Sequence, residues 1–270
     1  MSFDQIGPIA KTVDENKLML QVISGRDEKD QTTFGSKKNN EVEFEYKQTD
    51  KLNIAVAKEF LEGADPQILK IFEELKEKLA KKGHKITEVS IPTLKYAIPI
   101  YYLAVFAEFS SAMQRYDGLR YGKVKEEIED LVETVSTLRG EKFGAEVKRR
   151  IMLGSFITTK EYQDAWYGKT LRAREVLKNE INSILEKYDV LLGPTMPCLP
   201  WKIGEKNNNP LEMYLADILT VPANIAGIPA GSIPYGKIGK FRPGFQIQAK
   251  KFGEAKVLSV MKEIEELDKQ

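Results

Sequence analysis

The chain has one histidine, His84, and one cysteine, Cys198. That census decides much of the chemistry. A two-histidine metal site and an internal disulfide are impossible within one chain, and a cysteine-based zinc site does not fit. His84 sits in Lys82-Gly83-His84-Lys85 and reads as an exposed turn histidine. No partner pattern around it suggests a Ser-His-Asp site. Serine nucleophiles usually sit on tight glycine-rich turns that also present oxyanion-binding N–H groups. The Gly-Ser pairs here are Gly35-Ser36, Gly154-Ser155 and Gly231-Ser232. None has G-x-S-x-G spacing, and each reads as structural. No Walker A loop and no convincing dinucleotide fingerprint is present. The chain therefore shows no self-contained catalytic constellation.

The elements that would position a site are easier to read. A chain of 270 residues with 42% hydrophobic residues can bury a sizeable core. Its 41 basic and 40 acidic side chains leave a net charge of +1, unlike a dedicated nucleic-acid binder. The N-terminus does not read as a signal or transit peptide, and the longest apolar stretch, around Ala97–Phe109, is too short to span a bilayer. The expected location is cytoplasmic, with no membrane contact.

Thr12 and Glu15 have capping-box spacing ahead of a first helix, with Gly25 as its stop. Glu41–Tyr46 alternates like an exposed strand. Leu52–Ala57, a helix opened by Asp65-Pro66, and Lys85–Ile91 form a strand–helix–strand unit. Residues 93–188 read as almost entirely helical, with candidates at 94–115, 123–138, 143–152 and 159–187. Asp189–Leu192 reads as a buried strand. Met213–Ile218 and Val221–Ala226 suggest short helices, Ser232–Tyr235 and Gly244–Gln248 a strand pair, and Glu254–Leu267 a closing helix. Strands alternating with helices predict an α/β fold: a mixed, twisted sheet covered by helices, with a helical cap inserted between the second and third strands.

Several stretches carry a resemblance. They are Phe3-Asp4-Gln5-Ile6-Gly7-Pro8-Ile9, the run from Ala107 through Tyr116 to Gly122, and Val147-Lys148-Arg149-Arg150-Ile151-Met152-Leu153-Gly154. Gly193-Pro194-Thr195-Met196-Pro197, Lys202–Glu205 and the run from Met213 through Asp217 to Pro229 add to them. Together they resemble the amidase signature family, and within it the A subunits of tRNA-dependent amidotransferases. The resemblance runs from residue 1 to the end. It implies that residues 1–270 are the C-terminal part of one amidase domain, present without its N-terminal half, with the cap at about 93–188.

The family carries a Lys-Ser-Ser triad on a Gly/Ser-rich signature in the half that precedes this region. The resemblance thus implies that all three catalytic residues lie upstream, and it assigns no catalytic residue here. It does imply a glutamine-binding set of Tyr101, Arg150 and Asp217. A guanidinium would bind the substrate α-carboxylate, a carboxylate the α-ammonium, and a tyrosine would add a directed hydrogen bond. Asp117 and Arg120 read as stabilising their own turn or a subunit contact. The implied activity is glutamine hydrolysis that supplies ammonia for converting Glu-tRNA(Gln) to Gln-tRNA(Gln), with this chain alone inactive. The implied partners are the B and C subunits of the amidotransferase and the N-terminal half; ATP, Mg²⁺ and most tRNA contacts belong to the B subunit, and no cofactor is bound here. Another amidase-signature hydrolase of small amides, or a non-catalytic fragment of a split subunit, stays open as an alternative.

Overall fold

In the computed structural model, residues 2–33, 44–46, 51–122, 130–205 and 210–269 are described. The chain divides into two compact units, one of Gln5–Ile98 with Glu175–Gln270 and one of Met1–Asp4 with Pro99–Arg174.

Among the described residues, the first unit is built on a five-stranded sheet in the order β2-β1-β3-β5-β4. β1 (Asn53–Ala57) pairs in parallel with β2 (Lys85–Val89) and with β3 (Val190–Pro194). β5 (Gly244–Gln248) runs antiparallel to both β3 and β4 (Ala230–Pro234). The sheet is mixed, as the strand pattern predicts. Among the described residues, the elements between β2 and β3 in the chain are all helical.

Strand alternation gives the sheet two different faces. Ile54, Val56, Val190, Leu192, Ile233, Phe245 and Ile247 share one core with α2 (Pro66–Lys81) and α9 (Glu254–Lys269). α2 starts where Asp65 accepts the Gln67 N–H, with Pro66 as first helical residue, and it buries Ile68, Phe72, Leu75 and Leu79 along one stripe. Gly231 faces α9 so closely that a Cβ there would lie 2.3 Å from the Met261 sulfur. The opposite face carries Gly193, Ser232, Gln246 and Gln248, and both glutamines are buried.

α1 (Val13–Ile23) begins on the Thr12–Glu15 capping box. Lys262 of α9 holds it by donating to Asp14 at 2.6 Å and to Glu265 at 3.0 Å, while Glu265 accepts the Val13 N–H. The Lys262 hydrogen bond, followed by that of Tyr46, holds the Asp14 carboxyl below its ordinary range. The outer face of α1 leaves Leu18, Met19 and Val22 exposed.

Three sequence expectations need correction. His84 is not exposed but 6% accessible. Gly83, at φ +102°, turns the chain so that the imidazole points inward. Its Nδ1 accepts the Leu52 N–H at 3.1 Å, so Nε2 carries the proton and donates to the Glu263 carboxylate of α9 at 3.0 Å. Lys82 lies 3.5 Å from the same carboxylate. Second, the proposed helix 159–187 starts later, because residues 159–163 form turns. Thr158 and Thr159 turn their hydroxyls onto the carbonyls of Gly154 and Phe156, which closes α5 (Ala145–Ile157). One π turn, Asp164–Gly168, then leads into α6 (Lys169–Leu185). Third, of the strand proposed at 41–46, residues 41–43 lie outside the described residues, and 44–46 form no strand. The helix proposed at 123–138 is likewise described only from 130; there α4 runs Leu131–Lys142, capped by Asp130.

His84 makes a stability prediction. His84→Ala strips a backbone donor and a buried carboxylate of their shared partner, at a cost of about 2–4 kcal/mol. The urea midpoint of the His84→Ala chain should fall accordingly, and an unchanged midpoint would contradict the inward-facing imidazole.

Candidate functional site

The second unit is helical. Its central element is α3 (Ala97–Met113), apolar on nearly every face, as a buried helix must be. Tyr101 and Tyr102 are neighbours on it. Tyr102 is buried at 9% exposure, whereas Tyr101 is half-buried. The Tyr101 ring meets Tyr102 edge-on at 5.2 Å and Phe3 edge-on at 5.3 Å. Phe3 is itself fixed. The Arg174 guanidinium lies 4.0 Å over its ring and donates to the Ser2 hydroxyl at 2.8 Å. The Ser2 N–H and hydroxyl both donate to Glu108 of α3. The N-terminal residues thus form a wedge that sets the Tyr101 ring.

α5 crosses α3 at Gly154. A Cβ there would stand 2.0 Å from the Phe106 carbonyl oxygen and 2.6 Å from Ser110 Cβ. The neighbouring Ser155 hydroxyl pairs with that of Ser110 at 3.0 Å. Ser155 is therefore held in a helix–helix contact. Arg150 lies one turn before Gly154, with its guanidinium 6.0 Å from the Phe109 ring centre. Its Nε donates to Glu146 at 2.7 Å. Arg149 donates twice to the same carboxylate, and these bonds, that of Arg149 foremost, hold the Glu146 carboxyl below its usual range. Among the described residues the Arg150 terminal nitrogens make no hydrogen bond. They leave a two-pronged donor of the shape a carboxylate accepts.

After α3, Asp117 caps a tight turn. Its carboxylate accepts the N–H groups of Leu119 and Arg120 at 2.8 and 3.0 Å and pairs with the Arg120 side chain at 3.1 Å. Both side chains are engaged with their own turn.

Asp217 belongs to the sheet unit. It follows α7 (Pro210–Ala216) and precedes α8 (Val221–Ala226). Its carbonyl accepts from the Thr220 N–H, the Thr220 hydroxyl and the Val221 N–H, at 3.0 to 3.1 Å. These bonds make the connection a tight turn with a half-buried carboxylate on it. The three proposed binding residues thus fall in two units: Tyr101 and Arg150 on facing helices of one, Asp217 on the turn of the other.

The sheet unit holds further polar groups that the sequence does not mark as functional. Ser232 on β4 and Thr195 at the end of β3 pair hydroxyls at 2.7 Å. Gln246 Nε2 donates to the carbonyls of Pro194 and Leu219, and Gln248 Nε2 donates to Gln246 Oε1. The signal lay in Phe245-Gln246-Ile247-Gln248, where two amides alternate with apolar residues in a central strand. A groove of about 760 Å³ runs beside β4, lined by Gln5, Pro8, Gly227, Ser232, Lys251 and Met261 among others. None of Tyr101, Arg150 and Asp217 lines it.

Among the described residues, no three His, Cys, Asp or Glu side chains group to hold a metal ion, and no helix is long and apolar enough to cross a membrane.

The Amidase family model matches residues 1–258. The A subunit of glutamyl-tRNA(Gln) amidotransferase from Thermoanaerobacter pseudethanolicus is 43% identical over 269 residues, covering 99% of this chain and 55% of that protein. The protein of the same name from Geobacillus kaustophilus is 43% identical over 260 residues, covering 96% of this chain and 54% of its own length. Among solved structures, the glutamyl-tRNA(Gln) amidotransferase A subunit of Thermotoga maritima aligns with a TM-score of 0.71 at 32% identity, over 97% of this chain and 52% of that one. A 6-aminohexanoate cyclic dimer hydrolase aligns at 0.72 with 17% identity, over 97% of this chain and 54% of that one, which shows the shared fold alone. The chain spans about half the length of the curated relatives it matches.

Proposed function

Because this chain belongs to the amidase family, we propose that it forms the glutamine-holding part of the amidase subunit of a tRNA-dependent amidotransferase. The observation that carries this reading is 43% identity to a glutamyl-tRNA(Gln) amidotransferase A subunit along nearly the whole chain. Arg150 offers its open fork to the α-carboxylate, Asp217 pairs with the α-ammonium, and Tyr101 supplies a wall and a hydroxyl. These contacts grip the end of glutamine remote from the scissile amide. Their task is to fix the side-chain amide in attack geometry, which lowers the entropic part of the barrier. The attacking serine, with its lysine and bridging serine, comes from the half of the amidase domain that precedes the matched region. Ammonia then passes to the B subunit, where ATP and Mg²⁺ activate the tRNA-bound glutamate; the C subunit joins the other two, and the assembly works in the cytoplasm.

Saturation-transfer NMR on the full chain tests this, since it reports ligand contact whatever the assembly state. L-Glutamine should bind, and glutaramate, which lacks the α-ammonium, should bind at least tenfold more weakly. Asp217→Asn should erase that difference, and the pure chain should release no ammonia from glutamine. Equal binding of both ligands by the unaltered chain would sink the clamp, and ammonia release would sink the proposed division of labour.

A further inference from the structure

We infer that Gln246 is a positioning residue that aims the Asp217 carboxylate, acting through the Leu219 carbonyl; this rests on the reading of Asp217 as the ammonium partner. The connection between α7 and α8, residues 217–220, is a run of turns whose Asp217 and Ile218 N–H groups donate to the Tyr214 and Leu215 carbonyls of α7, and Thr220 makes no side-chain cap at the start of α8. The turn is closed locally by bonds to the Asp217 carbonyl. Those bonds set its internal shape and leave its placement on the sheet to other contacts. Gln246 supplies such a contact. Its Nε2 donates to the Leu219 oxygen at 2.6 Å and to the Pro194 oxygen, at the end of β3, at 3.0 Å.

Two features suit this amide to the task. It stands on β5, between β3 and β4, with Gly193 and Ser232 as its register partners. It is 3% exposed, so water does not compete for its two donors. Its orientation is fixed as well. Two carbonyls face the nitrogen, and Gln248 Nε2 donates to the oxygen at 3.0 Å. A rotated amide would place its oxygen against two carbonyl oxygens. The amide therefore works as a two-pronged clip from the sheet to the turn, and Asp217 lies two residues from its outer prong. An apolar residue here would fill the space and leave the turn unanchored at that point.

The test is Gln246→Met, close in volume but without donors, in the full chain. L-Glutamine affinity, read by saturation-transfer titration, should fall about tenfold, while glutaramate affinity stays within twofold. Hydrogen exchange at the Thr220 and Val221 amides should quicken at least tenfold. A merely structural role would weaken both ligands alike, and that outcome overturns the inference. So does unchanged L-glutamine affinity in a folded Gln246→Met chain. If Gln246→Met does not fold, Thr220→Val, which removes the hydroxyl bond to the same turn, decides. Selective weakening of L-glutamine supports placement by the turn, and equal or absent weakening overturns it. The clamp reading fails separately, if Asp217→Asn leaves the preference for L-glutamine over glutaramate intact.

Discussion

Gly154→Val is expected to unfold the helical unit, or to separate α5 from α3 at a cost of at least about 3 kcal/mol. The added Cβ alone would sit 2.0 Å from the Phe106 carbonyl oxygen, and backbone cannot step aside as a flexible side chain can. The branched methyl groups would press further on Ser110, 2.6 Å from the same point. The consequence reaches the proposed site. Tyr101 lies on α3 and Arg150 on α5, so their mutual placement depends on how closely the two helices approach at Gly154. Even a Gly154→Ala chain that folds should lose most of its glutamine affinity. Thermal unfolding followed by circular dichroism measures the first effect and ligand titration the second. A Gly154→Val chain that melts like the parent would refute the close crossing.

Arg150→Ala should weaken glutamine binding by about 100-fold, the scale of one charge-assisted two-pronged contact. Arg150→Lys should not restore it, because an ammonium is a point charge without the planar fork. The bonds that Arg149 makes to Glu146 survive either change, so the fold of α5 should hold. In an amidase completed by its other half, the same change should raise KM for glutamine with kcat little altered, the mark of lost ground-state binding. An affinity or KM that does not move would remove Arg150 from the site and leave it as half of an exposed ion pair with Glu146.

The elements with local signals were legible in the sequence. α2 follows from Asp65-Pro66 and its apolar stripe, α1 from the Thr12–Glu15 box, and the β4–β5 pair from its turn. What escaped depends on residues distant in the chain. His84 looks exposed inside Lys-Gly-His-Lys, yet its partner Glu263 lies 179 positions away. The late start of α6 escaped because the turns at 159–163 contain no proline or glycine to mark them. Tyr101 and Tyr102 are indistinguishable in sequence; the packing of α3 buries one and the Phe3 wedge frames the other. Only the family resemblance points to Arg150, Tyr101 and Asp217, since a basic helical face and a lone carboxylate carry no such message in themselves.

The two ends of the strand order differ in a way that bears on how the chain lives in a cell. β2 ends the sheet on one side and carries Lys85 and Glu88, the kind of charge that discourages a further strand. β4 ends it on the other with Ala230-Gly231-Ser232-Ile233-Pro234, uncharged throughout and beside the groove. An edge of that composition accepts a neighbouring strand with no electrostatic toll. A chain overproduced on its own is then expected to associate through β4 rather than through β2 as its concentration rises.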